Sequence, residues 1–125
     1  MITADSSFLV EGLLKRKDLL EKEVIVTADF AVSEVVNAVW KHQFLIKDLK
    51  DGRPYVSIFY GLINSGRIRL VQLDEESMLK AYSLAGRNAT SVYDASFVTL
   101  AIETGSELRT LDVRQAEILK KELGR

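Results

Sequence analysis

Four short apolar runs, Ile2 to Ala4, Val24 to Thr27, Ile68 to Leu73 and Leu108 to Leu111, alternate along the chain with longer stretches whose apolar residues recur at helical spacing. The short runs read as strands and the longer stretches as helices. Strands joined through helices run parallel, and a parallel sheet hides both faces under helices. The expected class is therefore α/β: a three-layer α/β/α domain around a central parallel sheet of four strands. The helical spacing predicts helices from about Ser7 to Lys15, Val32 to Ile46, Tyr55 to Asn64, Ser77 to Gly86, Val92 to Glu103 and Val113 to Leu123. Asp51, Gly52 and Pro54 separate the second and third of these, Gly66 ends the third and Gly105 ends the fifth. No linker, repeat or biased segment interrupts residues 1–125, which are expected to form a single domain.

The third run, "RIRLVQL", sets Arg67 and Arg69 on one side and Ile68 and Leu70 on the other, as on a half-exposed edge. The fourth, "ELRTL", carries Arg109, which in a parallel sheet needs an edge position or a carboxylate partner.

Composition narrows the chemistry. There is no cysteine and one histidine, which excludes disulfides, thiolate catalysis, cysteine zinc sites and an all-histidine metal site. Lys plus Arg number 17 against 18 Asp plus Glu, so any polyanion must meet a local basic patch. No apolar run approaches a membrane span, and Asp5 stands where a signal peptide would be apolar; a cytoplasmic protein is expected.

What remains is oxygen chemistry. Ligands of open α/β sheets sit beyond the carboxyl ends of the strands, where strand order reverses. Asp5 and Asp112 follow the first and fourth runs, and Glu34 and Asp94 lie near helix starts that belong to the same edge. If the first and fourth strands are neighbours, four carboxylates can share one pocket. Two carboxylates about 4 Å apart repel by roughly 4 kcal/mol at an effective dielectric near 20, so such a pocket takes up protons or a divalent cation such as Mg²⁺ or Mn²⁺. Each acid also has a plainer role. Asp5 can cap the first helix; Asp112 with Gln115, and Ser91 with Asp94, fit capping boxes. Asp94 sits in "VYDASFVTLAI", apolar almost all round, where a charge needs a partner. Glu34 falls opposite the apolar face of Val35, Val36, Val39 and Trp40, the position of a solvated first-turn acid.

The stretches "DSS", "ADFAVSEVVNAVW", "VYDASFVTLAIETGSEL" and "RTLD", in this order, resemble the PIN-domain nucleases, and among them the VapC-type toxins of prokaryotic toxin–antitoxin systems. The resemblance covers nearly the whole chain. It implies a metal-dependent ribonuclease in which Asp5, Glu34, Asp94 and Asp112 hold Mg²⁺ or Mn²⁺, Ser7 and Thr110 are polar supports, and Asn37 lies beside the pocket. It also implies an RNA substrate, a cognate antitoxin and a homodimer. Many relatives carry a fifth strand after the last helix, which would extend the sheet to five, and some carry a further acid beyond the position of Asp112, where this chain has Val113, Arg114 and Gln115. Thr27-Ala28-Asp29 has the same form as Thr3-Ala4-Asp5 and Thr110-Leu111-Asp112, but Asp29 falls where the second helix begins in the family and reads as a cap.

Candidate RNA-binding cations are Lys15, Arg16 and Lys17, then Lys47, Lys50 and Arg53, with Arg87 in addition; a charge run is more often only a solvated face. Tyr55, Ile58, Phe59 and Tyr60 are core, a dimer surface or a groove for an antitoxin helix. Rival classes fit less well. A phospho-accepting receiver needs paired acids after the first strand and a lysine after the last, and a nucleotide-binding domain needs a glycine-rich loop; neither is present. A processing nuclease without an antitoxin, or an inactive binding module, remains the alternative.

Overall fold

The structure, a computed structural model, describes residues 1–124. The elements run β1 (Ile2–Ala4), α1 (Ser6–Leu14), α2 (Asp18–Glu21), β2 (Ile25–Ala28), α3 (Ala31–Lys41), a π-helical turn (His42–Ile46), α4 (Arg53–Asn64), β3 (Ile68–Val71), α5 (Glu75–Asn88), α6 (Val92–Thr104), β4 (Glu107–Arg109) and α7 (Val113–Glu122). Among the described residues the sheet has four strands in the order β3-β2-β1-β4, all parallel. The three-layer expectation therefore holds: α1, α3 and α4 pack together in one layer, and α5, α6 and α7 in the other.

The strand order decides where a site can form. From β1 the chain steps outward through β2 to β3, then crosses back to place β4 on the other side of β1. The order reverses at β1, so the crevice beyond the tips of β1 and β4 is the switch point of the sheet. The register Ala4↔Arg109 aligns those two tips.

Burial follows the sequence pattern. β1 and β2 are buried along their length, and α6 is buried from Ala95 to Ala101, because it lies over the middle of the sheet. Leu9, Leu13, Ile25, Val35, Phe59, Ile68, Phe97 and Val98 fill the core. Phe59 is thus core, while its neighbour Tyr60 is exposed.

Several boundaries differ from expectation for identifiable reasons. β4 ends at Arg109 rather than Leu111, because β1 ends at Ala4 and leaves no partner beyond it. In β3 only Ile68 is buried; Leu70 is exposed on this edge strand. Arg109 has both of the expected remedies, since β4 is an edge and its guanidinium bonds Glu107 at 2.9 Å and pairs with Glu23 at 3.5 Å. The predicted helix from Val32 to Ile46 is α3 plus a π turn that ends at Lys47 in the left-handed region. His42 Nδ1 and Asp48 Oδ1 lie 2.8 Å apart across that turn. Trp40, expected on the apolar face, is exposed; the face is carried by Ala31, Val35 and Val39. A Cβ on Gly52 would come within 2.5 Å of Val39 Cγ1, so glycine lets the loop approach α3. The short helix α2 has too few residues to show a period, and is pinned by Leu20 packing against Gly12.

Candidate active site

Asp5 leaves β1 at the switch point and is 3% exposed. Its Oδ1 accepts from the Phe8 N–H at 3.0 Å, capping α1, and from the Ser7 hydroxyl at 2.7 Å. Its Oδ2 accepts from the Thr110 hydroxyl at 2.5 Å. Both hydroxyls are themselves fixed from the far side of the crevice. Ser7 Oγ accepts from the Leu111 N–H at 3.1 Å, and Thr110 Oγ1 from the Asp112 N–H at 2.9 Å. Two short relays therefore tie the β4–α7 corner to the Asp5 carboxylate. Ser7 and Thr110 each bond one oxygen of Asp5.

Asp112 begins α7, its Oδ1 accepting from the Arg114 N–H at 2.9 Å. The expected capping box with Gln115 does not form. Gln115 is 4% exposed and turns toward α6, where its Nε2 donates to Asp94 Oδ1 at 3.2 Å while its Oε1 has no partner. At Ser91 the cap half of the expected box forms: the Asp94 N–H donates to Ser91 Oγ at 3.0 Å. Asp94 is half-buried, and its carboxyl is held above the ordinary aspartate range by burial first, then by the charges of Asp112 and Asp5. Those two causes place carboxylates from β1, α6 and α7 in one field.

Glu34 lies in the first turn of α3, exposed, and accepts from the Ser6 hydroxyl at 2.6 Å, which joins it to the residue next to Asp5. Ser6 and Gln115 are two members that sequence reasoning did not assign; Gln115 read as a capping-box residue. Asn37, one turn beyond Glu34, is exposed and lines a shallow groove with Val32, Ser33, Val36, Trp40 and Tyr60, a set without a carboxylate. Asp29 is a correction. α3 begins without a side-chain cap, and Asp29 contributes only its backbone, through Val32 N–H to its carbonyl at 3.2 Å and its own N–H to Val71 O at 2.9 Å.

The arrangement suits a hard cation. All donors are oxygens, and Glu34, Asp94 and Asp112 each have one oxygen engaged by a neutral donor and another unassigned. Among the described residues no three such side chains close around a single point as a finished metal site. Their oxygen donors are of the chemical class that a divalent ion takes.

The cations divide between two edges. α1 starts at the tip of β1 and runs about 14 Å at 1.5 Å per residue, so Lys15, Arg16 and Lys17 lie at the opposite end of this layer. There Lys15 meets Glu11 at 3.9 Å and Arg16 meets Asp18 at 3.5 Å. Arg53 is taken up by Asp51 at 3.0 Å. Arg87 lies at the end of α5, against α7. It pairs with Glu122 at 2.5 Å and lines a groove with Asn88, Arg114, Glu117 and Lys121. Arg114 donates to the Asn88 carbonyl, and Lys121 Nζ to Asn88 Oδ1 at 3.1 Å.

The PIN domain family model matches residues 2–121. Ribonuclease VapC3 of Pyrobaculum aerophilum is 33% identical over 91 residues, which span 73% of this chain and 68% of that protein. No helix among the described residues is long and apolar enough to cross a membrane.

Proposed function

This chain belongs to the PIN-domain family, in its VapC-type branch, and from that premise we propose that it is a metal-dependent endoribonuclease, the toxin of a VapBC-type toxin–antitoxin pair. It acts on RNA in the cytoplasm, with Mg²⁺ or Mn²⁺ held by Asp5, Glu34, Asp94 and Asp112.

The observation that carries the reading is the field at Asp94. A carboxyl pushed upward by burial first, and then by Asp112 and Asp5, is costly to keep charged, and a site that keeps such acids together has a use for a cation. A bound divalent ion supplies charge neutralisation, an activated water and a counter-charge for the leaving oxygen of a phosphodiester. The chain's own residues do the positioning. Ser7 and Thr110 fix both oxygens of Asp5, Gln115 orients Asp94, the α7 backbone orients Asp112, and Ser6 restrains Glu34. The RNA backbone falls first to Arg87, Arg114 and Lys121 beside α7, with Lys15, Arg16 and Lys17 available to a strand that wraps to the other edge. A cognate antitoxin and a second copy of the chain complete the reading. Exposed Trp40, Phe44, Leu45, Ile46 and Tyr60 supply apolar surface of the kind protein partners cover.

The test is cleavage of total RNA by the purified protein in Mg²⁺ or Mn²⁺ and in chelator, with the cut ends mapped. Discrete cut positions that require metal and vanish in folded Asp94→Asn are expected. Cleavage that persists in chelator or in that variant removes the metal site from the mechanism, and a wild type that cuts no RNA removes the nuclease reading.

A further inference from the structure

Tyr93 occupies the first turn of α6, immediately before Asp94, and is 64% exposed. Exposure of one aromatic ring says little alone. What sets Tyr93 apart is its mount. Phe97, one turn later on the same face, is buried in the core; Phe30, immediately before α3, packs edge-to-face on Phe97 with centroids 5.3 Å apart and planes at 63°. Phe30 meets Tyr93 in the same manner at 5.6 Å and 76°. Three rings thus run from the core to the surface, and the outermost is braced between the starts of α3 and α6, the helices that carry Glu34 and Asp94. A side chain held this way loses little freedom when something lands on its open side. Leu111 and Val113, on either side of Asp112, are also exposed, so apolar groups border two of the carboxylates.

We propose that Tyr93 is a stacking platform for an unpaired RNA base beside the phosphate that is cut. The inference rests on the ribonuclease reading and adds a base-positioning residue to it. Carboxylates address the phosphate, whereas a base in a duplex keeps its faces stacked on its neighbours and offers none to a protein ring. An unpaired base has a free face, and stacking on a tyrosine holds it whatever its identity. The platform therefore holds a base in place and leaves its identity to other contacts.

Affinity is measured by fluorescence anisotropy in chelator, with a labelled single-stranded oligoribonucleotide spanning a mapped cut site, the same strand in a duplex, and a series with one abasic position. Tyr93→Ala weakens single-strand binding roughly 5- to 150-fold, Tyr93→Phe stays within about twofold of wild type, and Tyr93→Leu, which fills the space against Phe30 without a π face, behaves like alanine. One abasic position weakens the wild type by the same factor and the alanine variant no further, and duplex binding is indifferent to the substitution. If the wild type binds the strand and Tyr93→Ala or Tyr93→Leu binds equally well, the stacking role is overturned while the nuclease reading stands. Equal losses on single strand and duplex overturn it too, since the ring would then touch only the backbone. A wild type that neither binds nor cuts RNA takes down the nuclease reading itself.

Discussion

Replacing Thr110 by valine asks whether the carboxylate site and the fold share one network. The change keeps the side chain's shape and removes a hydroxyl used in both directions, as donor to Asp5 Oδ2 at 2.5 Å and acceptor from the Asp112 N–H at 2.9 Å. A hydrogen bond to a carboxylate contributes about 1.5–3 kcal/mol and a neutral one about 0.5–1.5 kcal/mol. Water can replace the bond to Asp112, which lies at the surface, but reaches Asp5 poorly. The expected loss is therefore roughly 2–3 kcal/mol. With an unfolding entropy of about 2.1 cal/mol/K per residue over 125 residues, Tm falls by roughly 8–11 °C. The assay is thermal unfolding followed by circular dichroism in chelator, for wild type, Thr110→Val, Thr110→Ser, Asp5→Asn and the double variant Asp5→Asn/Thr110→Val. Serine keeps the hydroxyl and loses a methyl, so it costs less than about 1 kcal/mol. The double variant loses less than the sum of its parts, because both changes break one bond. A valine variant melting within about 2 °C of wild type, or strict additivity, would show that the Thr110–Asp5 bond carries no stability and that Asp5 is held by its cap alone.

Asp94→Asn, which removes charge without changing volume, should abolish metal-dependent cleavage, checked on RNA, and raise Tm in chelator at neutral pH. Its pH dependence has a defined sign. The Asp94 carboxyl is raised in the folded state, so its contribution is fully present below the unfolded value of about 3.9 and is lost as pH rises through the folded one. The Tm advantage of the asparagine variant in chelator should therefore widen as pH is raised from about 3.5 to 7; parallel curves would refute the shared field. Asp29→Ala should leave stability within about 0.5 kcal/mol, by denaturant unfolding, because its exposed side chain caps nothing. Gly52→Ala should destabilise by about 1–3 kcal/mol in the same experiment, as its methyl meets Val39 at 2.5 Å.

Much of the framework can be read from residue order, because parallel strands and their helices leave a strong periodic trace. The four strands appear at their expected places and β3 and β4 take the edges, where arginines can reach water or a carboxylate. Asp94 is legible as the charge in an otherwise apolar helix. The details that escape are set by contacts distant in sequence. Trp40 has the right spacing for the core face, yet the chain passes into the π turn beside it and leaves the ring in water. Gln115 carries the signature of a capping box, and only the approach of α6 to α7 shows that its amide serves Asp94 instead.

The aspartates that follow β1 and β2 show why local pattern stops short of function. Thr3-Ala4-Asp5 and Thr27-Ala28-Asp29 are the same tripeptide at the tips of adjacent parallel strands, and Thr27 even donates to the Ala4 carbonyl at 2.8 Å. Their fates diverge because of what lies beside each tip. β1 is flanked by β4, whose chain continues through Thr110 and Asp112 and delivers a hydroxyl to the Asp5 carboxylate. β2 is flanked on its outer side by β3, which ends at Val71 and offers Asp29 only a backbone carbonyl. One aspartate is thus buried among donors and the other is exposed, although each ends the same tripeptide. The reversal of strand order at β1 makes that difference, and it also lets capping and site-building coincide: the bonds by which Asp5 starts α1 and Asp112 starts α7 are those that fix the carboxylates' orientation. A helix cap at the switch point is therefore no evidence against a ligand, whereas a strand-tip acid away from that point needs a further partner before a chemical role is assigned to it.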